Sequence, residues 1–241
     1  YQSLKAISSG GKNIAIGYQA GLESTIEDFN TYVGYRSGYR TAGLDNQHNT
    51  FIGYNAGSGD WTSTLSSKNT AIGSNAMIGA MNSSLQNSAM GYAALSALTT
   101  GNNNIGIGVT AGDTITTGGS NTVIGSEADV SASDATNQTV IGYGATSPNI
   151  NNAVTLGNSS VTKVYVAPGN TSEQSIVFRD SADQGQIVYS HSNEQFQFKV
   201  GGNSIKARIR SGGDLYLDGG QITFPATQVA SSDANTLDDY E

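Results

Sequence analysis

The sequence predicts an all-β protein: a parallel β-roll, or β-solenoid, followed by an antiparallel β-meander. Three observations predict it. A short motif recurs at near-constant spacing through the first 160 residues. Gly supplies 31 of the 241 residues, Pro only 3, and charged residues 12%. Beyond residue 171, apolar and polar residues alternate in runs separated by turn signals. A fixed repeat period means a stack of similar coils, each touching only its neighbours.

The motif is an aliphatic residue, Gly, two variable positions and a small residue. It occurs at Ile16-Gly17, Val33-Gly34, Ile52-Gly53, Ile72-Gly73, Met90-Gly91, Ile107-Gly108, Ile124-Gly125, Ile141-Gly142 and Leu156-Gly157. Three residues after each Gly stands Ala or Ser, from Ala20 to Ser160. Four residues before it stands Asn in the first seven coils, Asn13 to Asn121, and Gln138 in the next. The Gly-to-Gly steps are 17, 19, 20, 18, 17, 17, 17 and 15 residues.

Within one unit, His48 to Gly57, Thr50 and Ile52 alternate with Phe51 and Gly53, the pattern of a short strand. Gly53 lets the backbone turn or a neighbouring coil approach closely. Ala56 points back into a space too small for Leu. Nine coils at ~4.8 Å each give a roll about 40 Å long. The Ile column is expected to supply the apolar ladder of the core, with the Ala/Ser column a second, narrow one. The Asn column is expected to form a hydrogen-bonded ladder at a turn. Coil length varies after the motif, as at Gly59 to Ser67, so insertions map to one edge. One aliphatic and one small residue per coil is a thin core, to which Trp61, Leu65, Met77, Leu95 and Leu98 add little. The expected remedy is association of three chains sharing their small-residue faces.

Residues 171–224 read as a meander of about six strands with one apolar face. Ile176/Phe178, Ile187/Tyr189, Phe196/Phe198/Val200, Ile205/Ala207/Ile209, Leu215/Leu217 and Ile222/Phe224 each alternate with polar residues. Turn signals such as Gly201-Gly-Asn203 and Ser211-Gly-Gly213 separate them. The chain therefore divides into a roll of about nine 17–20-residue coils over 1–152, a connector or neck over 153–170, the meander over 171–224, and an extended tail over 225–241. That tail carries four acids and no Lys or Arg.

Composition excludes several classes. The net charge is −8 and no basic run exists; Lys206, Arg208 and Arg210 come closest, so no nucleic-acid partner is expected. Zero cysteines exclude a disulfide framework. No apolar stretch approaches the ~18 residues of a membrane helix, so no membrane insertion is expected. No signal peptide is visible, and with Tyr1 rather than Met at its start the chain is expected to be a fragment or a processed product.

Catalytic and metal constellations are missing from the pattern. His48 and His191 stand at loop or turn positions without an oriented partner. His191 and Glu194 are too few for a metal site. Asp214 and Asp218 share a strand side, but four residues along a strand span ~13 Å, too far for glycosidase chemistry within one chain. Gly106-Ile-Gly108 belongs to the repeat rather than to a phosphate loop. No catalytic residue, cofactor or metal is expected. Tyr18, Tyr35, Tyr54, Tyr92 and Tyr143 follow motif glycines; a stacked column is favoured over a sugar-binding strip. Trp61, in the longest inserted loop, is the foremost candidate for a receptor or partner contact, with Tyr54 and Tyr35 beside it.

Asn69-Thr-Ala-Ile-Gly-Ser-Asn-Ala76 and Asn121-Thr-Val-Ile-Gly-Ser-Glu-Ala128 resemble the coils of YadA-like trimeric autotransporter adhesin heads. The resemblance covers roughly residues 10–160. It makes Ile16, Gly17, Ile52, Gly53, Ile72, Gly73, Ile124, Gly125, Ile141 and Gly142 structural repeat positions. It implies a left-handed, trimeric roll without catalysis. The coils here are longer than that family's, and no heptad stalk or membrane anchor follows them in the sequence.

The segments after the roll, Ala153 to Val166, Ile176 to Asn193 and Phe224 to Glu241, resemble tail-fibre proteins of bacteriophages. That resemblance implies a non-enzymatic structural protein of the virion that contributes to host attachment by multivalent surface binding. Its implied partners are two further copies of itself, other tail or fibre proteins, and a host surface glycan or protein. The alternatives are a bacterial cell-surface adhesin head, which would be extracellular, and a polysaccharide-degrading tailspike.

Overall fold

A computed structural model describes residues 2–41, 46–61, 65–164, 173–179, 184–190, 194–200 and 204–218. All described regular structure is β. The chain divides into two units, 1–162 and 163–241.

The first unit is a parallel β-solenoid. Its nine strands are β1 (Ile14–Ile16), β2 (Thr31–Val33), β3 (Thr50–Ile52), β4 (Thr70–Ile72), β5 (Ser88–Met90), β6 (Ile105–Ile107), β7 (Thr122–Ile124), β8 (Thr139–Ile141) and β9 (Val154–Leu156). They form one sheet in sequence order. Register is unbroken: Thr31 pairs with Thr50, Tyr32 with Phe51, Val33 with Ile52, and so on to Ile141 with Leu156. The ninth strand lies inside the segment read from sequence as the connector. Residues 153–162 thus continue the roll, because Val154–Leu156 keeps the ladder of β8.

Each strand is three residues long, so its middle residue faces opposite to its two ends. The middle column is the inward one. Tyr32, Phe51, Ala71, Ala89, Val123 and Val140 are buried. The Ile column faces out, which corrects the expectation that it fills the core: Ile16 is 61% exposed, Ile107 39% and Leu156 51%. The Ala column is the second interior column; Ala20, Ala56, Ala76, Ala94, Ala111, Ala128 and Ala145 are fully buried within this one chain. It is therefore closed to the inter-chain sharing expected of it. Ser37 takes its place in one coil and donates its hydroxyl to the Phe51 carbonyl at 2.7 Å.

The core is larger than the motif alone indicates. Trp61, Met77, Met81, Leu95, Leu98 and Ile115 enter it from the segments after the motif and are all buried. Leu65, grouped with them in the sequence reading, is exposed. Each large apolar side chain buried this way contributes roughly 1.5–3 kcal/mol. Tyr32 stacks on Phe51 with ring centroids 5.7 Å apart. Burial pushes the ionisation of its hydroxyl far up, against the lowering effect of the neighbouring Thr41 and Ser24 hydroxyls.

The Asn ladder forms as the spacing predicts. The Asn104 amide N–H donates to Asn87 Oδ1 at 2.9 Å, and the Asn121 N–H to Asn104 Oδ1 at 3.1 Å. Each side-chain amide also donates onward, as Asn104 Nδ2 does to the Gly118 carbonyl at 2.9 Å. A buried polar column is tolerable because every rung is satisfied by its neighbour.

The motif Gly is obligatory at close approach. Gly53 has φ +139°, and a β-carbon there would lie 2.5 Å from the Gly73 carbonyl oxygen of the next coil. Similar contacts repeat up the stack.

The second unit is an antiparallel sheet of β10 (Glu173–Arg179), β11 (Gln184–Ser190), β12 (Gln195–Val200), β13 (Ser204–Ile209) and β14 (Leu215–Leu217) in sequence order. A bulge interrupts register at Phe198/Lys199. On β11 to β14 the apolar face carries Ile187, Phe196, Phe198, Ile209, Leu215 and Leu217, all substantially exposed, while Val188, Ser190, Gln197 and Lys199 on the other face are buried. The sixth strand expected around Ile222 and Phe224, and the tail 225–241, lie outside the described residues.

Candidate functional site

Surface chemistry on the roll concentrates on coils 1 to 4. The residue after each motif Gly stands at the corner where the strand ends, and its side chain faces solvent. Tyr18, Tyr35 and Tyr54 occupy that corner in consecutive coils. Their rings stack, 5.4 Å between Tyr18 and Tyr35 and 5.2 Å between Tyr35 and Tyr54, with interplanar angles of 14° and 8°. Tyr35 is covered on both faces. The column stops at Ser74 in the fourth coil, so Tyr54 has a ring on only one side; it is 53% exposed. Tyr92 and Tyr143 are exposed but sit in other coils, and Tyr143 hydrogen bonds to Glu127, whose carboxylate raises the phenol's pKa.

Arginine sits beside this column. Arg36 donates its Nε–H to Gln19 Oε1 at 2.8 Å. Its guanidinium lies 5.4 Å from the Tyr35 ring centroid and 4.8 Å from that of Tyr39. The Arg40 guanidinium lies 5.7 Å from the Tyr39 ring centroid and pairs with Asp60. These side chains, with Asn55, Ser58, Gly59, Ile78 and Ala80, line a groove of about 440 Å³ between adjacent coils. A second short stack stands at the other end of the strands: Phe29 on His48 at 4.9 Å, with the Lys12 ammonium 4.5 Å from the Phe29 ring.

Of the expected contact residues, Tyr35 and Tyr54 are on the surface and in contact with each other. Trp61 is not available there. It is 1% exposed and packs edge-on against Phe51, with centroids 5.5 Å apart at 82°. The long insertion folds its tryptophan back into the roll, because burying the indole gains more than leaving it in water. His48 is held by ring stacking, and His191 lies outside the described residues. Asp218 pairs with Arg208 Nη2 at 2.5 Å while Asp214 is exposed, so the two acids have different surroundings. Among the described residues no group of three or more His, Cys, Asp or Glu could hold a metal ion. No helix among them is long and apolar enough to cross a membrane.

The groove of Arg36, Tyr39 and Arg40 was missed by sequence reasoning. The available signal was Tyr35-Arg-Ser-Gly-Tyr-Arg40, which places two of the chain's 11 basic residues within five positions of a charge-poor sequence.

The architecture defines a parallel β-solenoid repeat protein with an aromatic and guanidinium-lined groove on its side. Comparison with family models, with curated proteins and with solved structures finds no match.

Proposed function

We propose that this chain is a structural fibre protein of a phage tail, assembled as a homotrimer and contributing to host attachment by multivalent surface binding. The observation that carries the reading is the outward face of the roll sheet. Ile16, Ile52, Met90, Ile107, Ile141 and Leu156 are exposed there, in one in-register aliphatic column running the length of the stack, and Ile14, Ile105 and Val154 are exposed in the neighbouring, mostly Thr column. A continuous apolar strip of this kind marks an association surface. The exposed apolar face of the second unit adds a matching need. A second and third copy supply the cover, and threefold repetition of a lateral loop surface converts weak contacts into avidity. The covering face is the Ile and Thr columns of the sheet, in place of the small-residue face.

The test is the solution mass by light scattering. A value near three times 24.9 kDa is expected. The double variant Ile52→Glu/Ile107→Glu should fold with an unchanged circular dichroism spectrum and run at the monomer mass. A monomeric wild-type chain overturns the reading. Labelled trimer should also bind intact host cells, and incubation with their surface glycans should release no new reducing ends; release would favour a tailspike.

A further inference from the structure

We infer that the groove between the second, third and fourth coils binds a carboxylate-bearing saccharide, with Arg36 taking the carboxylate and the exposed Tyr54 side chain taking a sugar ring. The inference rests on the attachment reading for its biological setting, but its physical argument is independent of oligomeric state. None of the lining residues belongs to the outward strand columns.

Charge balance chooses the ligand class. Arg40 is already compensated: Asp60 pairs with it, and Glu23 lies within electrostatic reach. Arg36 has no carboxylate partner among the described residues. Its Nε is anchored on Gln19, its guanidinium carbon lies 5.4 and 4.8 Å from the Tyr35 and Tyr39 ring centroids, and its side chain lines the groove. A pre-oriented guanidinium fork suits one carboxylate in bidentate geometry. One uncompensated cation in a chain of net charge −8 does not suit a polyphosphate or polysulfate.

Shape supports the same class. The volume of about 440 Å³ falls inside the range of small-molecule sites, roughly 300–1,000 Å³. Asn55, Ser58 and Asp60 bring amide, hydroxyl and carboxylate groups that match sugar hydroxyls. Tyr54 lies beside the groove lining, next to Asn55; it is 53% exposed and stacks on Tyr35, and Ser74 stands where the column would place a fourth tyrosine. A pyranose can lie on that exposed ring. The tyrosine column thus divides its roles: Tyr35 is consumed by stacking and Tyr54 ends the stack as a platform.

The test uses the full chain and isothermal titration with an oligogalacturonate of four to six residues, against its methyl-esterified form and against inorganic phosphate. Saturable binding of the acid form is expected, with about tenfold weaker binding of the ester and none of phosphate. Arg36→Gln and Tyr54→Ser should each weaken it about tenfold while leaving the circular dichroism spectrum and the solution mass unchanged. Tyr54 is exposed and Arg36 half-buried, and Ser is already tolerated at the Tyr54 position in the fourth coil. No binding by the wild-type chain, equal binding of ester and acid, or affinity untouched by both substitutions overturns the inference. If the trimer forms and adheres to cells while oligogalacturonate fails to bind, the groove assignment falls and the fibre reading stands. If oligogalacturonate binds a monomer that does not adhere, the fibre reading falls and the groove assignment stands.

Discussion

The ring of Phe51 lies where a β-carbon on Gly57 would sit, 2.5 Å from it. The same relation links Tyr32 and Gly38 one coil earlier, also at 2.5 Å. In the next two coils the arrangement is reversed. The strand residue shrinks to Ala71 and Ala89, and the position four after the motif Gly becomes Met77 and Leu95, both fully buried. Volume is traded between two positions six residues apart, so that each rung fills the same cross-section at native packing density.

This exchange predicts strong coupling. Gly57→Met alone should destabilise the roll by about 3 kcal/mol or more, through overpacking and a backbone at φ +60°. Combined with Phe51→Ala, it should cost far less than the sum of the two single changes. Urea unfolding of the four proteins closes the cycle; strict additivity would refute the exchange. Trp61, packed on Phe51, supplies a fluorescence signal from the same rung.

The Asn ladder should be intolerant of truncation in its middle. Asn104→Ala removes the acceptor for the Asn121 N–H and the donor to the Gly118 carbonyl, leaving buried backbone groups unpaired. A loss of about 2–4 kcal/mol is expected. Hydrogen exchange should localise the effect, with the Asn121 amide losing protection first.

Left-handed residues recur two positions after the motif Gly: Gln19, Arg36, Asn55, Asn75, Ala93, Thr110 and Glu127 have φ between 50° and 59°. The conformation costs an alanine roughly 1–2 kcal/mol, and glycine adopts it freely. Ala93→Gly, at φ 52°, should therefore raise the thermal midpoint by about 2–4 °C. A lowered midpoint in calorimetry would contradict this.

Half-buried Asp129 has a raised pKa because burial disfavours its charge, although hydrogen bonds from Thr114 and the Val130 N–H pull the other way; Asp113 nearby adds to the rise. The folded protein then holds a proton that the unfolded chain has lost. Stability falls as pH rises from the ordinary carboxylate value through the raised one. Asp129→Asn keeps the Oδ1 acceptor for Val130 and should raise the midpoint by about 1 °C at neutral pH. The difference should vanish in acid, below the ordinary value. An equal gain at both pH values would show another cause.

The period, the strand positions and the Asn ladder were legible in the sequence because a solenoid is one-dimensional. Each coil contacts its neighbours in register, so Asn87, Asn104 and Asn121 at constant spacing must stack. Which face is inside was not. In Thr50-Phe51-Ile52 apolar side chains point both ways, and a three-residue strand does not state its own orientation. The tertiary structure decides it by volume: the interior is closed by the Ala column and by Trp61, Met77 and Leu95 arriving from irregular segments, so Phe51 goes in and Ile52 goes out. It likewise brings Arg36 and Tyr39 against Asn55, Asp60 and Ile78, which lie 16 to 42 positions away along the chain. Periodicity fixes which coils are adjacent; only packing across them determines which side chains meet.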